Sequence, residues 1–297
     1  MAGMARNLRI EFEGAIHHVT VRGNNRRILF ADDQDRQRFL ERLEEEVKTH
    51  GVRLYLFCLM TNHFHLLVET PHANLGRFMH GLQTGYTVYF NLRHDESGHL
   101  TETRYGGKLV DGEAYLLKLS RYIHLNPVFV GRLRKLPVRE RIRELREYRW
   151  SSYPSYIGRA KELDFVTYGP ILAEQGGREG SWRKRYRSFV ESGLAGTDEE
   201  FEAIMKASSR SIGDEAFRRK VDDLHIDRIR EWKKKEDVSF RVRRVKIDPE
   251  EILERVIKDL GVTWEEIHQR HGRSAGRQVA ARLLNRYAGL TQREVAD

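Results

Sequence analysis

The chain has 297 residues, with 53 Lys and Arg against 44 Asp and Glu, a formal net charge of +9 and a pI near 9.6. That length predicts two domains or one domain with an appendage; the basic balance fits a polyanionic partner, and a 39% hydrophobic fraction permits a real core. The single cysteine, Cys58, excludes an intramolecular disulfide and a cysteine-rich zinc module. Residues 1–10 carry two arginines without the apolar stretch of a signal peptide, and no run of about 18 apolar residues follows, so a cytoplasmic protein without a membrane partner is expected.

Ile10 to Val21 alternates, with Phe12, Ile16, His18 and Thr20 on one parity, and predicts a strand entering the polar turn that runs from Arg22 to Arg27. Arg22, Asn24, Asn25, Arg26 and Arg27 are candidates for holding DNA phosphates or bases, or else form a solvated hairpin tip. Asp32 to Thr49 sets Phe39, Leu40, Leu43 and Val47 at helical spacing behind an acidic start. Leu54 to Glu69, bounded by Gly51 and Pro71, reads as an apolar strand interrupted by a polar knot of Asn62, His63 and His65. Residues i and i+2 of a strand share a face, so His63 and His65 point one way and Phe64 the other. Two neutral imidazoles at one spot suit a divalent metal; the alternative is one solvated ring and one satisfied within the core.

Leu75 to Phe90 predicts a second helix, in which Gly81 and Gly85 either loosen the helix or let something approach it. The order strand, helix, strand, helix predicts an α+β fold, an antiparallel sheet with helices packed on one face. Asn91 to Asp111 is polar and glycine-rich, with Arg104 to Lys108 as a strand-loop. Gly112 to Pro127 returns to helical spacing at Tyr115, Leu116, Leu119 and Ile123, and Pro127 makes Asn126 the last helical residue. Tyr122 and Asn126, four apart, share a face of that helix, while an asparagine before a proline can alternatively serve only as its C-cap.

Met60-Thr-Asn-His-Phe-His-Leu-Leu-Val-Glu69 and Arg121-Tyr-Ile-His-Leu-Asn-Pro-Val128 together resemble the single-tyrosine HUH transposases of the IS200-like family, in particular the REP-associated tyrosine transposases. Val19 to Asn24 and Trp150 to Tyr153 are similar to that group too, and the resemblance covers roughly residues 8–160. It implies an HUH/RRM-like fold, His63 and His65 as metal ligands around Phe64, Tyr122 as the nucleophile and Asn126 as a third polar ligand. It further implies Mg²⁺ or Mn²⁺ as cofactor, single-stranded or hairpin DNA as partner, and a 5′-phosphotyrosine intermediate. Members of such families work as monomers or as homodimers that exchange tyrosine helices. No phosphate-binding GxxxxGK[ST] loop is present, which suits strand joining without ATP.

Beyond the tyrosine helix, Gly131 to Arg149 carries eight Lys and Arg against three Glu, followed by Trp150, Tyr153 and Tyr156. Arg132, Arg134, Lys135, Trp150 and Tyr153 are therefore candidates to hold a single strand, cations on phosphates and rings under bases; the alternative is an aromatic cluster capping the core. Residues 161–247 read as a helical, basic connecting region. From Asp248 a unit begins with an acidic, proline-marked helix start, and Arg277 to Ala296 resembles the C-terminal helix-turn-helix domain of the replication initiator DnaA, stopping before the recognition helix. Expected boundaries are thus 1–160, 161–247 and 248–297. A noncatalytic DNA-binding regulator, and a histidine-metal hydrolase with a structural Tyr122, are the competing functional readings.

Overall fold

The structure, a computed structural model, describes residues 9–102, 105–196, 198–242, 248–268 and 275–284. The chain divides into two compact units, Met1–His225 and Ile226–Asp297. The region expected to connect two domains is not separate along its length: residues up to 225 belong to the first unit, because they bury their aromatic side chains on its sheet.

Five strands make the sheet of the first unit: β1 (Ala15–Arg22), β2 (Arg53–Met60), β3 (His63–Thr70), β4 (Gly106–Val110) and β5 (Ser211–Ile212), in the order β2-β3-β1-β4-β5. All neighbours are antiparallel except β4 and β5, which are parallel, so the sheet is mixed. The apolar run expected as a single strand is a hairpin: β2 and β3 turn at Thr61 and Asn62, and Met60 pairs with His63. Residues 150–167 protect the outer edge of β2, where Leu59 N–H donates to the Trp150 carbonyl at 2.8 Å and Thr167 N–H to that of Leu54 at 2.7 Å. Those bonds occupy backbone groups that would otherwise template pairing with another chain.

Helices cover both faces of the sheet, and not one as expected. Helices α1 (Asp33–His50) and α2 (Leu75–His94) lie on the side of Phe64, which meets Phe39 with ring centroids 4.6 Å apart; the Tyr86 hydroxyl donates to the Leu29 carbonyl at 2.6 Å. Asp32 caps α1 by accepting from Asp35 N–H at 3.0 Å, and Gly51 ends it in the left-handed region at φ 60°.

On the opposite side lies α3 (Gly112–Leu125), with α4 (Val138–Glu147), α5 (Tyr153–Tyr156), α6 (Gly169–Ala173), α7 (Trp182–Ser192) and α8 (Glu199–Ala207) following in the chain. Tyr153, Tyr156 and Tyr186 are fully buried here; the Tyr156 hydroxyl donates to the Tyr55 carbonyl at 2.7 Å, and its ring lies 5.0 Å from that of Tyr186. His124 sits inside this cluster, its Nε2 3.0 Å from Ser152 Oγ and its Nδ1 2.8 Å from the Tyr186 hydroxyl.

The helix α9 (Glu215–Val242) follows β5. Among the described residues no helix is long and apolar enough to cross a membrane.

In the second unit, α10 (Pro249–Leu260), α11 (Trp264–His268) and α12 (Ala275–Leu283) enclose a small core of Ile252, Val256, Ile267, Ala280 and Leu284. The local chemistry fits its sequence: Asp248 caps α10 by accepting from Glu250 N–H at 2.9 Å, and Gly261 stops it at φ 64°. Thr263 and Glu266 form a reciprocal capping box, with bonds of 2.9 and 3.3 Å. The DnaA-like segment runs past residue 284 and lies largely outside the described residues.

Burial holds the His124 imidazole well below its ordinary range, to about 3. The unfolded chain therefore binds a proton near pH 6.5 that the native state refuses, and stability falls as pH drops below 6.5 towards 3. Between pH 7 and pH 5 this group is expected to remove about 2 kcal/mol. His124→Gln, measured by urea unfolding at both pH values, should lose correspondingly less stability than the wild type over that interval; identical pH slopes would contradict the assignment.

Candidate active site

The pairing of β1 with β3 assembles the site. Thr20 lies opposite His65 and Arg22 opposite His63, so His18, Thr20, Arg22, His63 and His65 occupy one face of adjacent strands. His18 Nε2 and His65 Nδ1 lie 3.1 Å apart with their rings stacked at 5.3 Å, and Thr20 Oγ1 is 3.2 Å from the same His65 nitrogen. The His63 ring meets that of His65 edge-on at 5.1 Å, and its Nδ1 is 2.8 Å from Asn62 Oδ1. An amide oxygen can only accept, so His63 Nδ1 carries the hydrogen and Nε2 keeps its lone pair.

The sheet face keeps these rings neutral. Burial, then the charge of Lys108, holds His18 down to about 3; burial, then Arg22, holds His63 down to about 4. His65 is fully enclosed and lies well below its usual range through burial first and its neighbours His18, His63 and Arg22 next.

Helix α3 brings the tyrosine. The Tyr122 ring stands edge-on to His65 at 6.3 Å and to His18 at 6.4 Å. Burial raises its phenol above the ordinary range, with Glu202 adding to the effect and Arg22 and Lys206 opposing it. Asn126 follows one turn later, its amide nitrogen donating to the carbonyls of Tyr122 at 2.9 Å and Ile123 at 3.4 Å. This caps the helix end and orients the side chain beside the tyrosine. A cavity of about 540 Å³ opens here, lined among others by Tyr122, Asn126, Lys118, Arg121, Arg134 and Glu202.

Helix α8 lies in the stretch read only as helical and connecting, and its place beside the tyrosine was not legible. Its Phe201 packs on Tyr122 at 6.2 Å, and Asp198 both caps α8, accepting from Phe201 N–H at 3.0 Å, and accepts from Arg121 at 2.6 Å. His18 reaches His65 only through the β1–β3 register, a pairing across 47 residues.

The remaining expected contacts divide. Arg22, the last residue of β1, and Asn24, Asn25 and Arg26 in the turn after it are exposed, and Arg27, half-buried, pairs with Glu96. Arg132, Arg134 and Lys135 are exposed in the loop after α3. Trp150 is half-buried between Arg36 and Arg149, with guanidinium carbons 5.6 and 4.6 Å from its ring. Tyr153 is a correction: it is 0% exposed, its hydroxyl donates to Glu191 Oε1 at 3.2 Å, and a base has no access to its ring. Tyr156 belongs to the same buried cluster.

Residues 12–126 match the family described as "Transposase IS200 like", a span that contains β1, the histidine strand and the tyrosine helix. That match supports transposase-type DNA processing as the class of activity. A solved structure described as the REP associates tyrosine transposase bound to a REP hairpin is similar to the chain at 13% identity and a TM-score of 0.44, over 55% of this chain and 92% of that one. The comparison with curated proteins gives no match.

The turn beside the site depends on Gly23. A Cβ there would stand 2.1 Å from the Arg27 carbonyl oxygen, a backbone atom that cannot move without opening the turn. Gly23→Ala is expected to destabilise the protein by about 1–3 kcal/mol through overpacking, read as a lower urea midpoint; an unchanged midpoint would show that the turn tolerates the methyl group.

Proposed function

We propose that the protein is a divalent-metal-dependent single-stranded DNA endonuclease and strand transferase, acting on hairpin-forming DNA with Tyr122 as nucleophile. The observation that carries this reading is the convergence of Tyr122 with His18 and His65, at 6.4 and 6.3 Å, on the strand face that also presents His63. A hydrophobic sheet has no packing reason to gather three imidazoles and a phenol.

The donor set suits a divalent cation in part. His63 and His65 are neutral, and the Nδ1 of each has a neighbour that can fix its tautomer, as second-shell partners of metal-bound histidines do. Among the described residues no three His, Cys, Asp or Glu side chains gather into a metal-holding group, so Asn126 Oδ1 or phosphate oxygens of the substrate would complete the set. When bound, the cation supplies charge that makes the scissile phosphorus more electrophilic.

The protein's own residues do the rest. Arg22 and Arg26, exposed beside the histidine face, and Arg134 in the cavity wall hold the strand through its phosphates. Arg26 keeps φ 60°, a conformation that costs a side-chain-bearing residue about 1–2 kcal/mol, which fits retention of its cation for function rather than for the turn. Tyr122 attacks through its hydroxyl oxygen. The tyrosine O–P bond forms, the P–O3′ bond breaks, the phenol gives up its proton and the 3′ oxygen gains one. The 5′ phosphate remains on the tyrosine until a 3′ hydroxyl reverses the step. Because burial keeps the phenol protonated at neutral pH, rate should rise with pH across the neutral range.

Tyr122→Phe should abolish the covalent protein–DNA adduct formed with hairpin oligonucleotides and Mg²⁺ or Mn²⁺, seen on a denaturing gel, while DNA affinity stays within about twofold of the wild type. A persistent adduct would move the nucleophile elsewhere, and a wild type that binds DNA but never forms one would favour a noncatalytic DNA-binding protein.

A further inference from the structure

The opposite face of β1 carries a second polar assembly that this chemistry does not use. His17 pairs in register with Val68 and Leu109 and points away from His18, into a cavity of about 280 Å³. His225 of α9 enters the same cavity, with Arg9 and Arg210 on its walls. His17 and His225 are 2% and 5% exposed, and His17 Nε2 and His225 Nδ1 have no hydrogen-bond partner.

His17 and His225 both line this cavity, and each leaves one buried ring nitrogen without a hydrogen-bond partner, although buried polar atoms are as a rule paired, so the two together point to an occupant. Its sign follows from the neighbours. The Arg9 guanidinium is held 3.3 Å over the Tyr105 ring and donates to the Tyr105 carbonyl at 2.8 Å. Arg210 donates through Nη1 to Asp222 at 2.9 Å, and a guanidinium retains further N–H donors after one such bond. Two fixed cations repel a metal ion. The imidazoles beside them can each offer an N–H donor, which together with the guanidinium N–H groups match a tetrahedral oxyanion.

We propose that this cavity is an anion site that takes a phosphate group, borne by a free mononucleotide or by a nucleic-acid strand. The cavity has room beyond a phosphate alone, and Ile10, Leu75 and Leu109 give it an apolar wall for the rest of the ligand. The site lies on the other side of the sheet from Tyr122 and does not depend on the nucleophile.

The test is calorimetric titration of the full chain with inorganic phosphate, with a 5′-deoxynucleoside monophosphate and with a short single-stranded oligonucleotide, at constant ionic strength. Saturable phosphate binding is expected, weakened at least tenfold in His225→Leu and in His17→Leu and unchanged in Tyr122→Phe. Tighter binding of the mononucleotide than of phosphate assigns the free ligand. An oligonucleotide that is tightest, competes with phosphate and loses that competition in His225→Leu assigns the strand. Should His17→Leu fail to fold by circular dichroism, His225→Leu decides alone. No saturable binding of phosphate, or equal affinity in the histidine variants, would overturn the proposal.

Discussion

The register of the β1–β3 pair is the constraint on which the site depends. Side chains alternate faces with a period of two, so the opposition of Thr20 to His65 fixes which residues face α3 and which face α1 and α2. A slip of one residue would send His18 and His65 to different faces and turn Phe64 out of contact with Phe39. The register is held from both sides at once: Phe64, Phe39 and Tyr86 pack on one face, and the tyrosine cluster around His124 on the other. The chemistry and the core therefore share one alignment.

That sharing explains the polarity of the site. The same packing that excludes water from His18 and His65 depresses their proton affinity, so they stand as neutral lone-pair donors across the physiological range. It also raises the phenol of Tyr122. Near the site, exposed cations stand in the turn after β1 and in the loop after α3, Arg26 and Arg134 among them, and Arg134 lines the cavity. Neutral imidazoles inside and cations at the rim are a distribution that suits a phosphodiester.

Local features of the fold were legible in the sequence where they follow from period and punctuation. Asp32, Gly51, Asp248 and Gly261 mark helix ends because capping is a short-range bond, and His63 and His65 share a face because strand alternation is local. The hairpin at Thr61 and Asn62 was missed since apolar residues continue on both sides of a turn without glycine or proline. The participation of His18 and the covering of Tyr122 by Phe201 are long-range pairings that no local pattern encodes. Tyr153 misled for a related reason: an aromatic beside basic residues looks the same in sequence whether its ring meets a base or fills a core.

Under the proposed function, the paired histidines of β3 would form a metal-holding half of a site completed by the tyrosine helix. The most direct test is titration of Mn²⁺, followed by electron paramagnetic resonance, into the wild type and into the His63→Ala/His65→Ala variant, with circular dichroism to confirm that both are folded. A bound Mn²⁺ signal is expected in the wild type and is lost in the double variant. A folded double variant that binds Mn²⁺ as the wild type does would contradict it.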